Sequence, residues 1–208
     1  MVAATAQLSA QDRVRIRDAI AEAESATSGE VFVVVAGESD DYRFVPLVWA
    51  ALAALALPLP LIWLTPLSAG VIFALQLATF ILLAVGLSLP RIKPAVIPLS
   101  LMQLRVRALA EQQFLAHGLH TTEARTGILI FVSLAERQAE IVADAGIAAK
   151  VEQAAWDGAM ADLVAAAQAG RLGDGLVAAV RFAGDVLARH FPPYPHDRDE
   201  LANDVVIL

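Results

Sequence analysis

The sequence predicts an α/β domain interrupted by a two-helix transmembrane hairpin, and three observations predict it. No Asp, Glu, Lys or Arg occurs between Arg43 and Arg91. Two runs, residues 31–35 and 127–133, are almost wholly apolar and suit strands buried on both faces, as in a parallel sheet. Apolar residues at helical spacing accompany each run.

Composition sets the bounds. A chain of 208 residues allows one domain with an insertion. Apolar residues make up 58% and charged residues 18%, against about 45–50% and about 25% in soluble domains. That excess lies in the uncharged stretch, and the flanks alone are ordinary amphipathic sequence. The formal net charge of −7 argues against nucleic acid, which needs a basic footprint to release counterions. The absence of cysteine excludes disulfides, thiolate metal sites and thiol catalysis. Residues 1–10 have neither a basic region nor a long apolar core, so no cleaved signal is expected and the membrane segment itself directs insertion.

The elements follow in order. Ser9 is a plausible N-cap with Asp12 completing a capping box. Ile16, Ile20 and Ala23 recur at helical spacing, and Thr27-Ser28-Gly29 ends that helix. The first buried strand follows. Two spans then read as residues 44–64 and 67–89, each long enough to cross about 30 Å of hydrocarbon. Thr65 and Pro66 turn between them, and Pro58 and Pro60 kink the first. A turn at Pro58 and Pro60 instead would leave a first span too short to cross. Trp49 and Trp63 suit the two interfaces. Leu101, Leu104, Ala108 and Leu115 mark a second amphipathic helix that stops near His117-Gly118. After a polar loop, residues 127–133 form the second strand. Residues 138–143 alternate polar and apolar, which reads as its antiparallel hairpin partner, so the sheet is mixed and mostly parallel. Two helices close the domain, one over residues 148–169 and one starting at an Asp174 N-cap and ending near His190. Residues 194–208 form a polar tail, read as an arm or a short added strand. The divisions are therefore 1–43 and 90–193 for the two parts of one domain, 44–89 for the hairpin and 194–208 for the tail.

Two spans place both flanks on one side. Arg43, Arg91, Lys93, Arg105 and Arg107 lie close to the span ends, while the turn carries no charge, so the positive-inside rule puts the domain in the cytoplasm. The Ala- and Leu-rich composition points to a bacterial inner membrane. The expected partners are the lipid bilayer and another membrane protein or complex.

Residues 125–133, then Arg137, the run Glu140-Ile141-Val142-Ala143-Asp144-Ala145-Gly146, Trp156 and His190-Phe191-Pro192 resemble the TPM domain over about residues 8–40 and 99–192. They resemble most its bacterial subgroup of predicted membrane proteins. The resemblance implies a three-layer α/β/α sandwich and a membrane-tethered role. Members of the family have been described as acid phosphatases, as calcium-binding proteins, and as assembly, repair or receptor-accessory factors. The chain departs from the general pattern in having Ala6-Gln7-Leu8-Ser9 in place of an Asp-rich stretch, Asp144-Ala145-Gly146-Ile147 in place of a fuller glycine-flanked acidic motif, and spans inside the domain.

Three residues are candidates for binding. Asp144 follows a strand, where a carboxylate could hold a divalent cation such as calcium, or simply cap a helix. Glu30 and Asp174 join it only if the fold brings them together. Arg125 and Arg137 flank the second strand and suit phosphate or carboxylate recognition, or are turn and surface charges. Ser133 has no visible base and reads as a hydroxyl bonded to backbone. His117 and His120 are separated by Gly118, which breaks the helix they would need to share for zinc. No phosphate loop, H-E-x-x-H or G-x-S-x-G is present. The functional expectation is therefore a membrane-anchored interaction, assembly or maintenance factor, with a metal-dependent phosphatase or hydrolase as the alternative. A channel lined by Gln76, Thr79 or Thr65 ranks last, because the spans hold no ionisable residue.

Overall fold

A computed structural model describes residues 8–122, 125–193 and 203–208. They form two compact units, one made of residues up to 39 and from 103 onward, the other of residues 40–102. The arm read into the start of the tail lies outside the described residues.

In the first unit, helix α1 (Ala10–Glu24) starts where its sequence signal lies. The Ser9 hydroxyl accepts from the Asp12 N–H at 3.1 Å, and the Asp12 carboxylate accepts from the Ser9 N–H at 3.2 Å. Ile16, Ala19, Ile20 and Ala23 are buried. The helix stops at Glu24 with Ser25 as C-cap, earlier than the expected Thr27-Ser28-Gly29. Gly29 serves another purpose: a Cβ there would lie 2.9 Å from Leu187 Cδ1. Strand β1 (Glu30–Ala36) follows, buried along its whole length.

In the second unit, α2 (Phe44–Ala56) and α3 (Pro58–Leu64) form one run through Leu57, whose backbone stays helical (φ −58°, ψ −42°). Proline is tolerated at this point because it opens a new first turn. Helix α4 (Ala69–Leu87) packs against α2. The runs Phe44–Leu64 and Ala69–Leu87 are both long and apolar enough to cross a membrane. The short helix α5 (Lys93–Val96) accepts the indole N–H of Trp49 at the Val96 carbonyl, 3.0 Å away.

Helix α6 (Leu99–Ala116) corrects one expectation. Its buried residues are Val106, Ala110 and Phe114, spaced by four, whereas Leu104, Ala108 and Leu115 are exposed. The helix carries two apolar stripes, and the aromatic one packs on the sheet. Gly118, in the left-handed region at φ 73°, ends it.

Strands β2 (Gly127–Ser133) and β3 (Gln138–Ala143) form the expected antiparallel hairpin. A single helical turn, α7 (Ala145–Ala148), precedes α8 (Ala154–Gln168). The first closing helix is thus shorter than the predicted 148–169, because Asp144 caps a separate turn. Helix α9 (Leu172–His190) begins two residues before Asp174, which is not its cap; the Asp174 carboxylate accepts instead from Arg15 at 2.7 Å. Strand β4 (Val205–Ile207) adds to the sheet, so this part of the tail is a strand.

The sheet order is β3-β2-β1-β4. β1 runs parallel to β2, with Glu30 opposite Gly127 and Ala36 opposite Ser133, and parallel to β4. Alternate residues point to opposite faces. Val31, Val33, Val35, Ile128, Ile130 and Val132 pack with α1, α8 and α9 around buried Trp156. Phe32, Val34, Leu129 and Phe131 pack with Val106, Ala110 and Phe114 of α6. This is a mixed, mostly parallel sheet between helical layers, an α/β/α sandwich.

The α1 cap supplies a pH-dependent test. The Ser9 hydroxyl donates to Asp12 at 2.7 Å and, with Arg15 adding to it, holds that carboxyl below its ordinary value despite some desolvation. A carboxyl depressed in the folded state stabilises above its unfolded pKa and loses that contribution as pH falls through the folded one. Ser9→Ala should therefore cost about 1 kcal/mol at pH 7. The deficit should shrink below about pH 4, as read from denaturant unfolding across that range.

Candidate functional site

The candidate residues divide between the two ends of the central strands. β3 runs antiparallel to β2, so the carboxyl end of β3 lies at the amino ends of β1 and β2. That is where Asp144 sits, with its N–H donating to the Gly127 carbonyl at 2.9 Å. The sheet end expected to hold a ligand, beyond the carboxyl ends of parallel strands, is the opposite one.

At the amino end, Asp144 is 4% exposed and doubly engaged. Its Oδ1 accepts from the Ala145 N–H at 2.6 Å, capping α7, and from Arg125 Nε at 3.1 Å. Its Oδ2 lies 2.9 Å from the same Nε, within the ion pair, and makes no hydrogen bond. Arg125 holds this position from a left-handed backbone, φ 55°, which a residue other than glycine adopts at a cost. Glu30 occupies the same end of the sheet, across Gly127. A Cβ on Gly127 would meet the Leu119 carbonyl oxygen at 2.6 Å, so only glycine fits beside that carbonyl. Asp174 does not join; it belongs to the α1–α9 contact with Arg15. Among the described residues, no three of His, Asp and Glu gather to hold a metal ion.

Arg137 is at the other end, so the three candidates do not form one site. It occupies the β2–β3 turn at φ 54° and makes no ion pair among the described residues. There it lines a cleft of about 440 Å³ with Ser133, Gln138, Val164 and Gln168. Ser133 is fully buried, and its hydroxyl is not bonded to backbone as expected. It donates to the Glu136 carboxylate and accepts from the Ser39 hydroxyl at 2.8 Å. Glu136, 6% exposed, also accepts from the Ser39 N–H at 3.0 Å. Sequence reasoning missed Ser39 and Glu136. The Ser-x-x-Glu spacing of 133 and 136 was a visible signal, but the contribution of Ser39 depends on the β1–β2 pairing.

The histidines stay apart in role. His117 stacks on Phe32 at 4.5 Å between ring centroids, and His120 lies in a one-turn 3-10 helix (Leu119–Thr121). Glu140 is the other perturbed acid. Burial raises its carboxyl above the ordinary value, and Arg107 offsets part of that. It stands opposite Phe131 in the register, on the face covered by α6.

The arrangement is a capped and ion-paired carboxylate at one end, and at the other a polar cleft with one arginine and a buried hydroxyl–carboxylate network. Residues 95–186 match the family model described as the TPM domain. The solved structure of the BA42 protein from the psychrophilic bacterium Bizionia argentinensis is similar, with a TM-score of 0.60 and 22% sequence identity over 96% of this chain and 94% of that one. At that identity the likeness shows the fold alone. Among curated proteins none matches the chain.

Two outcomes follow. Asp144→Ala should lose about 1 kcal/mol of stability through the cap, and Asp144→Asn only a fraction of that, because asparagine also caps; thermal unfolding of the two variants side by side checks this. For Glu140, the charged form is the penalised one, so its cost is present above the raised pKa and relieved as pH falls below the unfolded value. Glu140→Gln should accordingly raise the unfolding midpoint at pH 7 and leave it unchanged below about pH 4.

Proposed function

We propose, from the match of residues 95–186 to the TPM domain, that the protein is a membrane-anchored TPM-like domain acting as an interaction, assembly or maintenance factor for a membrane complex. The observation that carries this reading is the outer stripe of α6. Leu104 and Leu115 are 63% and 58% exposed, with Ala108 exposed between them. Arg105 and Arg107 belong to the same helix. Large apolar side chains aligned on one exposed helical face suit a partner surface, and arginine is enriched at such surfaces. The dispersal of the candidate acids and arginines to opposite ends of the sheet supports recognition over catalysis.

Anchoring is by the runs Phe44–Leu64 and Ala69–Leu87. The lipid bilayer is then one partner and a second membrane protein the other. Arg43, Arg91, Lys93, Arg105 and Arg107 near the span ends favour a cytoplasmic domain on a bacterial inner membrane.

One observation bears on a second reading, a metal-dependent phosphatase or hydrolase. Asp144 Oδ2 is buried without a hydrogen bond, 2.9 Å from Arg125 Nε, and a divalent cation such as calcium would take that oxygen by displacing the arginine. Calorimetric titration of the detergent-solubilised protein with calcium, beside Asp144→Ala, tests it. Heat that disappears in the variant would favour the second reading.

For the first reading, a photo-crosslinking residue at position 104 or 115 in intact membranes should give one discrete adduct, identified by mass spectrometry as a membrane protein. Leu104→Asp should reduce the adduct formed from position 115 about tenfold or more, as expected when an interface anchor is lost. Absence of any adduct, together with hydrolysis of a phosphate monoester that depends on Asp144, would overturn the proposal.

A further inference from the structure

Hydrocarbon offers no water to a polar side chain, so each polar group within a span needs a protein partner. Near the ends of the two apolar runs this need is met locally. The Thr65 hydroxyl donates to the Leu61 carbonyl and the Ser88 hydroxyl to the Ala84 carbonyl, each at 2.6 Å. Near the middle of α4 it is not met. Gln76 makes no hydrogen bond among the described residues, and neither does the hydroxyl of Thr79, three residues on and on the same side of the helix. Gln76 is only partly exposed. It lines a groove of about 290 Å³ between α2 and α4, whose other walls include Ala51, Ala54, Phe73, Leu77 and Phe80.

We propose that two copies of this chain associate through that groove, with the Gln76 carboxamide of each paired with the Gln76 carboxamide of the other about a twofold axis. A carboxamide carries two N–H donors and an acceptor oxygen, so it complements itself, and one symmetric contact satisfies both copies. An acyl chain could fill the apolar groove but offers nothing to the amide. Ala51, partly exposed at the groove, is short enough for a second helix to approach closely. The inference rests on the membrane-spanning part of the reading above and is independent of what the TPM domain recognises.

The chain has no cysteine, so any disulfide reports only an introduced pair. Full-length Gln76→Cys in membranes, mildly oxidised, should give several-fold more disulfide-linked dimer than Ala78→Cys. Position 78 lies at similar depth but about 200° around the helix. In lipid vesicles, energy transfer between labelled copies should show association weakened roughly three- to tenfold by Gln76→Leu, with much of it retained in Gln76→Asn. Equal linkage at positions 76 and 78, or full association of Gln76→Leu, overturns the proposal and leaves the groove to lipid or to a different protein. Alkaline carbonate extraction separates the two ways of failing. A chain released by the wash removes the spanning helices and the pairing together, whereas a chain retained but unlinked at position 76 removes the pairing alone.

Discussion

The parallel pairing of β1 with β2 is the contact on which the rest of the domain depends. Each strand is buried along its full length, and each supplies side chains to both cores. Burying one Val, Leu, Ile or Phe side chain contributes about 1.5–3 kcal/mol, and these two strands carry most such residues in the sheet. A slip of one residue would exchange the faces of a whole strand. Phe32 would then meet the tightly packed side of Trp156 and α9, and the small valines would face α6. The observed register also aligns Ala36 with Ser133, which is what brings Ser39 to the Ser133 hydroxyl and the Glu136 carboxylate.

The same register explains how the charged groups are distributed. Arg125 precedes β2 and Arg137 lies in the turn that follows it, so a seven-residue strand keeps them at opposite ends of the sheet. Both arginines have left-handed backbones, where glycine or asparagine would be less strained. At position 125 the side chain answers with an ion pair to buried Asp144. At position 137 it answers with no ion pair among the described residues and lines a polar cleft. One arginine is therefore engaged with a buried carboxylate, and the other lines a cleft.

Much of this fold was legible in the sequence because its signals are local. The Ser9–Asp12 capping box, the two apolar runs, the Gly118 stop and the alternation at 138–143 each depend on residues within a few positions of one another. Leu104, Ala108 and Leu115 misled because α6 has two stripes, and only the partner surface decides which is buried. Asp174 looks like a cap until Arg15, from a distant helix, is placed beside it. The candidate site was less legible for the same reason. Asp144 and Arg125 lie 19 positions apart and meet because the β2–β3 hairpin brings them together, but whether a strand's carboxyl end is the binding end depends on its direction relative to its neighbours. β3 is the antiparallel member, and the hairpin that makes it so also carries Asp144 to the opposite end.

The position of the hairpin in the chain has a consequence for synthesis. β1 emerges from the ribosome before the two apolar helices and β2 after them, so the central pair cannot form until residues 37–126 have been translated. At about 5–20 residues per second this is a delay on the order of ten seconds. Throughout it, Val31-Phe32-Val33-Val34-Val35 is a nascent strand without its neighbour, apolar on both faces and free of charge, the kind of segment that aggregates when left open. The insertion thus makes completion of the sheet wait on translation of two long apolar helices, and a ribosome stalled within the hairpin would leave that strand exposed.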